Sequence, residues 1–312
     1  MTEQMQAIRI HELGDVNVLK YETVLRPTPH GDEVLIRVHG AGVNPVDYKT
    51  RSGSGTSISQ DELPWIPGWD VAGIVEQAPD NSLFAKGDAV YGMVSFPKTG
   101  SAYAEYVIAK PGHIASAPQS IDLITAASVP LVTLTAWQGL FEKGNLQAGQ
   151  TILIHAAAGG VGHIAVQLAK WRGATVIGTA SGKNADYLAE IGVNTFIDYT
   201  QTRFEDVVRD VDMVFDAVGG ETLKRSIDVV KPGGTLITIA GQPDEAKSAT
   251  RGITATRILV HTSDEQLVQI AKLIDDGILK PTVENTIPLS QAADAHRLLE
   301  DRHVRGKIVL IP

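Results

Sequence analysis

The sequence predicts an α/β chain with a strand-rich first part and a doubly wound parallel sheet after it. Three observations carry that expectation. The apolar run Thr151-Ile152-Leu153-Ile154-His155 enters a glycine-rich turn, Ala156-Ala157-Ala158-Gly159-Gly160-Val161-Gly162, and then a helical stretch to Lys170. From Ile121 onward apolar strands alternate with helical patterns, the rhythm of a parallel sheet covered on both faces. Before that point, short apolar alternations sit between turn signals, as strands do.

In order along the chain, strands are expected at 6–10, 34–43, 71–77, 89–94 and 103–109. Pro27, Pro29, Gly31, Pro64, Pro67, Gly68 and Gly87-Asp88 punctuate them. Residues 51–60 carry Ser52, Gly53, Ser54, Gly55, Ser57 and Ser59 and read as a mobile surface loop. The parallel sheet takes strands at 151–155, 174–179, 193–197 and 211–216. A fifth, 235–240, follows the turn Lys231-Pro232-Gly233-Gly234, and 258–261 makes a sixth. Val161, Ile164, Ala165 and Leu168 recur at helical spacing after the first strand. Further helices are expected at 183–191 and 221–230. Ser263-Asp264-Glu265-Gln266 opens another as a capping box, and Gly277 closes it. Past Lys280, Pro288-Leu289-Ser290 opens a short helix to Leu299, and 307–311 is a closing strand. This tail is expected to return to the first domain.

At 312 residues the chain has room for two domains. Its 43% hydrophobic content fits a globular protein. A net charge of −9 speaks against binding to nucleic acid or an anionic membrane. There is no cysteine, which excludes disulfides, thiolate zinc sites and a cysteine nucleophile, and suits a reducing cytoplasm. Residues 1–10 hold no apolar signal core. No apolar run approaches the roughly 20 residues that span a bilayer. A cytoplasmic protein is the expectation.

In the glycine turn, Ala157, Gly159 and Gly162 occupy the three small-residue places of a dinucleotide fingerprint. Small residues let the backbone approach a pyrophosphate, and the helix start offers it free N–H groups. Ala158, Gly159, Gly160, Val161 and Gly162 are the candidate contacts. NAD-binding folds hold the ribose hydroxyls with an acid about 20 positions later. Here strand two ends Ile177-Gly178-Thr179-Ala180-Ser181-Gly182-Lys183, with no carboxylate at its tip. Thr179 and Ser181 offer hydroxyls and Lys183 a charge to a 2′-phosphate, so NADPH is the expected cofactor.

Taken together, the chain resembles the medium-chain dehydrogenase/reductase superfamily, most closely its zinc-free NADPH:quinone oxidoreductase, zeta-crystallin-like branch. The resemblance rests on Gly42-Val43-Asn44-Pro45-Val46-Asp47, Pro67-Gly68-Trp69-Asp70-Val71-Ala72-Gly73 and Leu134-Thr135-Ala136-Trp137. It continues in Ala157 to Gly162, Asp216-Ala217-Val218-Gly219 and Gly306-Lys307-Ile308-Val309-Leu310. It implies a GroES-like β-barrel domain (residues 1–124 with 281–312) and a Rossmann domain (125–280). It also implies contacts to the nicotinamide end from Thr135, and near the 2′-phosphate from Tyr199 and Arg302. The backbone around Val218–Gly219, Ala240 and Gly241 is expected to hold the nicotinamide amide. Zinc-dependent relatives place a cysteine where Asn44 stands and a His-Glu pair where Trp69-Asp70 stands. Asparagine and tryptophan are not zinc ligands, so no catalytic metal is expected.

Hydride transfer without a metal suits acceptors that are already electrophilic, such as quinones and α,β-unsaturated carbonyls. The expected catalytic residues are Asn44, Tyr48 and Lys49. By the resemblance, Asn44 contacts cofactor or substrate, while Tyr48 or Lys49 donates to, or polarises, a carbonyl oxygen. The bacterial quinone reductases of this type carry a tyrosine where Lys49 stands, which displaces Tyr48 by one. A strand-borne Tyr48 packed in the core is the alternative. Trp65 and Trp69 are candidate walls for a flat acceptor, or core fillers. Two other readings remain: an NADPH-binding sensor or structural protein with little turnover, and an enoyl-thioester reductase. The sixth strand, with Ile258-Leu259-Val260, is too apolar to leave open and points to a homodimer.

Overall fold

The computed structural model describes residues 3–312. The chain divides into two compact units. The first runs to Leu134 and resumes from His261 to Pro312; the second is Thr135–Val260.

The first unit opens with β1 (Gln4–Ile10) and β2 (Leu19–Leu25), an antiparallel pair. Then follow β3 (Val34–Val43), α1 (Pro45–Arg51), β4 (Asp70–Gln77), β5 (Ala89–Met93), β6 (Tyr106–Ala109) and β7 (Ile114–Ser116). Two short helices, α2 (Leu123–Ala127) and α3 (Pro130–Trp137), lead to the second unit, and the chain changes unit within α3. Strand β3 is the spine. It pairs with β4 along most of its length, and with β6 through Val34–Arg37. Its side chains alternate into a core that includes Val34, Ile36, Val38, Val71, Val75, Val90 and Val107.

The second unit holds β8 (Thr151–Ile154), α4 (Gly160–Trp171), β9 (Thr175–Ala180), α5 (Ala185–Glu190), β10 (Thr195–Asp198), α6 (Phe204–Val207) and β11 (Val211–Asp216). It ends with α7 (Gly220–Ser226), β12 (Val230–Thr238), α8 (Glu245–Arg251) and β13 (Thr254–Arg257). All six strands are parallel, in the order β10-β9-β8-β11-β12-β13. Counted within this unit, the order is 3-2-1-4-5-6, the Rossmann arrangement, with its switch point between β8 and β11.

The chain then re-enters the first unit through α9 (Asp264–Asp275), β14 (Val283–Pro288), α10 (Ala292–Glu300) and β15 (Lys307–Ile311). Ser263 caps α9 by accepting from the Gln266 N–H at 3.2 Å, and Gly277 takes φ +74° just past its end. Strand β15 pairs antiparallel with the end of β3, Ile308 opposite Val43 and Leu310 opposite Ala41.

Several expectations are corrected. Residues 258–261 are not a strand; the sixth strand is β13, four residues earlier, and Ile258 makes the last ladder bond, to the Thr238 carbonyl. Beyond it Ile258 and Val260 turn inward while Leu259 is 64% exposed. The Lys231-Pro232-Gly233-Gly234 turn lies inside β12, as an irregularity opposite Val211–Met213. Tyr48 sits on helix α1 and not on a strand, because Asn44-Pro45 starts a helix with proline in its first turn. Arg51 does not belong to the surface loop; it is buried at the end of α1. Residues 103–105 are not part of β6; they meet β1 at an isolated bridge, Ala7 to Ala104.

Candidate functional site

The carboxyl ends of the parallel strands in the second unit assemble the dinucleotide fingerprint. Two residues past the end of β8 stands Ala156, a non-glycine residue at φ +52°, which turns the chain sharply toward α4. Gly159 is the N-cap of α4 in extended conformation, so the first N–H groups, from Gly160 on, lack intrahelical partners. Gly162 is required by close approach. A Cβ there would lie 2.1 Å from the Ala156 carbonyl oxygen. The helix start is thus pressed onto the turn, leaving Gly159, Gly160 and Val161 half-buried and Ala158 buried.

On the far side of the switch point, Asp216 ends β11 and is fully buried. Its carboxylate accepts from the Val218 and Gly219 N–H groups, both at 3.1 Å, and from the Thr238 hydroxyl at 2.7 Å. Gly219 has φ +78°, and a Cβ there would lie 2.2 Å from the Ala240 carbonyl oxygen. Asp216 therefore holds the Val218–Gly219 loop against Ala240 and Gly241. Val218 is 45% exposed. At both glycines a Cβ would collide with backbone of the same unit. Gly162 thus lets the start of α4 pack onto the preceding turn, and Gly219 lets its loop pack onto Ala240. The first is the close packing that a dinucleotide fingerprint asks of its last glycine.

The tip of strand two behaves differently from expectation at one residue. Thr179 is buried, 3.0 Å from His155 Nδ1. His155 Nε2 lies 2.9 Å from the Ser226 hydroxyl, which itself donates to the Thr222 carbonyl. Ser226 must therefore accept from Nε2–H, leaving Nδ1 to accept the Thr179 proton. Burial holds His155 near pKa 4, so the ring is neutral and this tautomer is fixed. The Thr179 hydroxyl proton is thus engaged inside the sheet. Ser181 is half-buried and accepts from Asn184 Nδ2, and Lys183 is exposed. Tyr199, 60% exposed, follows the end of β10. Arg302 is exposed at φ +57°, in the first unit. Thr135 is buried in α3.

In the first unit Asn44 is buried at the junction of β3 and α1. Its Nδ2 donates to Asp70 Oδ2 at 2.8 Å, and its Oδ1 accepts from the Lys307 ammonium. The same ammonium donates to the Val43 carbonyl at 2.8 Å and to Asp70 Oδ2 at 3.5 Å. Asp47 Oδ2 accepts from the Asn44 N–H and from Tyr103 Oη, both at 2.7 Å. Burial pushes the Asp47 carboxyl up to about 7. It also raises Asp70 and lowers Lys307, each partly offset by the other's charge. Tyr48 and Lys49 are half-buried on the opposite side of α1 from buried Asp47, Thr50 and Arg51. Trp65 and Trp69 are both buried, with ring centroids 5.8 Å apart. The Trp69 indole donates to the Lys98 carbonyl at 2.6 Å. Among the described residues, no group of three or more His, Asp or Glu is placed to hold a metal ion.

Comparison with known proteins agrees with this arrangement. Residues 30–119 match the family described as alcohol dehydrogenase GroES-like domain, and residues 191–310 the one described as zinc-binding dehydrogenase. A chloroplastic NADPH-dependent alkenal/one oxidoreductase of Arabidopsis thaliana is 34% identical over 99% of this chain and 80% of its own length. The chain belongs to the medium-chain dehydrogenase/reductase superfamily, in its quinone oxidoreductase branch. The quinone oxidoreductase of Coxiella burnetii superposes with TM-score 0.93 at 36% identity, covering 99% of this chain and all of that one. The Escherichia coli quinone oxidoreductase, solved in complex with NADPH, gives 0.90 at 28% identity, over 98% and 100%.

This medium-chain dehydrogenase/reductase chain contains buried polar residues that sequence reasoning did not single out. Asp47, Asp70, Tyr103, Asp216, His296 and Lys307 form or support the two clusters. Asp216 carried a signal, since it directly precedes the Val218–Gly219 loop. Lys307 enters only as part of the motif Gly306 to Leu310, and nothing local marks its role, because its partners lie 263 and 237 residues away.

Proposed function

We propose that the chain is an NADPH-dependent oxidoreductase that reduces a quinone or an α,β-unsaturated carbonyl without a catalytic zinc ion. The observation that carries this reading is the glycine turn at the carboxyl edge of the parallel sheet, where Gly159 caps α4 and Gly162 packs its first turn onto the Ala156 carbonyl. The names of the relatives supply the substrate class. When bound, NADPH supplies the hydride.

The chain's own residues do the rest. The N–H groups that open α4, with Ala158 to Gly162, hold the pyrophosphate at the positive end of the helix dipole. Ser181 and Lys183 serve the 2′-phosphate, with Tyr199 as a further contact; the Thr179 hydroxyl is engaged with His155. The loop that Asp216 fixes, with Ala240 and Gly241, holds the nicotinamide amide, and Thr135 borders it. Tyr48 or Lys49 gives the proton to the acceptor's oxygen. Asn44, expected to contact cofactor or substrate, is instead engaged by Asp70, Lys307 and Asp47 at the start of α1, and Trp65 and Trp69 back the acceptor site as buried filling. Asparagine at 44 and tryptophan at 69 are the chemistry behind the zinc-free reading. The cytoplasm is the proposed location, on the cysteine-free composition. A homodimer paired along β13 is the proposed assembly, because Leu259 beside that edge strand is exposed.

The test is NADPH oxidation against a panel of quinones and a panel of enones. Saturable turnover with at least one class is expected, with NADH a poorer donor. NADPH binding with no acceptor reduced would leave a binding protein and end the reductase reading.

A further inference from the structure

We infer that Lys307 is the internal cation of the first unit: a positioning residue that, through Asn44 and Asp70, fixes the entry of α1 and with it Tyr48 and Lys49. All three ammonium donors are used, on the Val43 carbonyl, Asn44 Oδ1 and Asp70 Oδ2. These three oxygens end β3, cap α1 and start β4. The charges also fix which way the Asn44 amide points. Its oxygen faces the cation, and its NH2 faces Asp70 and the Gly42 carbonyl. The amide therefore has its polar atoms committed within the protein and acts as a strut.

The strut reaches further on both sides. The Asn44 N–H donates to Asp47 Oδ2, which closes the first turn of α1. Asp70 Oδ1 accepts the Leu131 N–H at 2.7 Å, in the first turn of α3. The C-terminal end of α1 is held separately. Arg51 donates to His296 Nδ1 at 3.2 Å and to Glu300 at 2.6 Å. His296 then donates through Nε2–H to Tyr103 at 3.3 Å, and Tyr103 donates to Asp47. A seven-residue helix has no stability of its own. Burying charged groups at both ends is costly unless they are paired. The arrangement makes sense as a rigid mount for the two polar side chains on the helix's other flank. Its kinetic readout rests on the reductase reading above; a second readout does not.

The experiment compares Lys307→Met, Lys307→Arg and Asn44→Ala with wild type and with Val75→Ala. The last loosens the same core without touching the cluster. Expected for Lys307→Met and Asn44→Ala are a loss of about tenfold or more in kcat, and NADPH affinity within about twofold of wild type. Lys307→Arg recovers part of the loss. Val75→Ala keeps its kcat despite a lower Tm. Independently of any turnover, limited proteolysis should cut the exposed Ser52–Ser59 segment faster in Lys307→Met than in Val75→Ala when each is held equally far below its Tm. If Lys307→Met does not fold, Asn44→Ala, which keeps the Lys307–Asp70 pair, decides. Wild-type kcat and wild-type cutting in a folded cluster variant overturn the inference. If wild type itself reduces no acceptor, the reductase reading fails and proteolysis alone judges the mount.

Discussion

Single atoms decide much of this molecule. The hydrogen at Cα of Gly162 is one: a methyl in its place meets the Ala156 carbonyl oxygen at 2.1 Å, so backbone must shift to accept it. Gly162→Ala is expected to lower stability by about 1–3 kcal/mol and to weaken NADPH binding about tenfold or more. Calorimetric titration with NADPH checks this, and unchanged affinity would show that the turn does not carry the pyrophosphate. The choice between NADPH and NADH belongs to the residue scale too. Lys183→Glu should cut the preference for NADPH by about tenfold, the size of one charge-assisted hydrogen bond. The ratio of kcat/KM for the two cofactors reads it. Thr179 illustrates how a correct residue type can hide its partner. A threonine at a strand tip looks available, yet its proton is directed inward by a histidine 24 residues earlier.

At the scale of elements, the His155 bridge ties β8, β9 and α7 together, and it titrates. Burial holds the ring near 4 in the folded protein against 6.5 for an ordinary histidine, so the unfolded chain binds the proton more tightly. The contribution is complete above pH 6.5 and falls as the pH drops toward 4, by on the order of 3 kcal/mol. Asp47 runs the other way. Its carboxyl is raised to about 7, so its contribution is greatest in acid and is lost as the pH rises through 7. His155→Gln keeps one donor and one acceptor but cannot titrate. Its Tm should fall less than that of wild type between pH 7 and pH 4.5; equal slopes would remove His155 as the source. Legibility also divides by element. The first five parallel strands were readable because each has an apolar core between turn signals, and α4 because its buried stripe is regular. The sixth, Thr-Ala-Thr-Arg, lacks such a core, and the apolar Ile258-Leu259-Val260 beyond it carries the strand pattern in its place. Strand β2, Leu-Lys-Tyr-Glu-Thr-Val-Leu, and β14, Val-Glu-Asn-Thr-Ile-Pro, are half-exposed ribbons without a strong pattern, and they were missed. So was α1, whose seven residues include Asp47, Thr50 and Arg51 facing inward. Its stability comes from partners on α10 and β15, which local periodicity does not encode.

For the molecule as a whole, the open edge of the six-stranded sheet sets the proposed assembly. Among the described residues, strand β13 has a neighbour on one side only, and Leu259 lies exposed just beyond it. Leu259→Arg should turn a dimer into a monomer, read by sedimentation velocity at micromolar concentration. A wild-type monomer would reject pairing along this edge. The order of the chain has a consequence for biosynthesis. The second unit is an uninterrupted segment, whereas the first is split around it. A ribosome therefore releases every strand of the inserted unit before it releases β15. Until then Asp47 and Asp70 await a counter-ion encoded 237 residues after Asp70. The guest is equipped to assemble on the nascent chain while its host stays unfinished, and arrest of translation just short of Lys307 should yield a folded guest tethered to a host that proteases still digest.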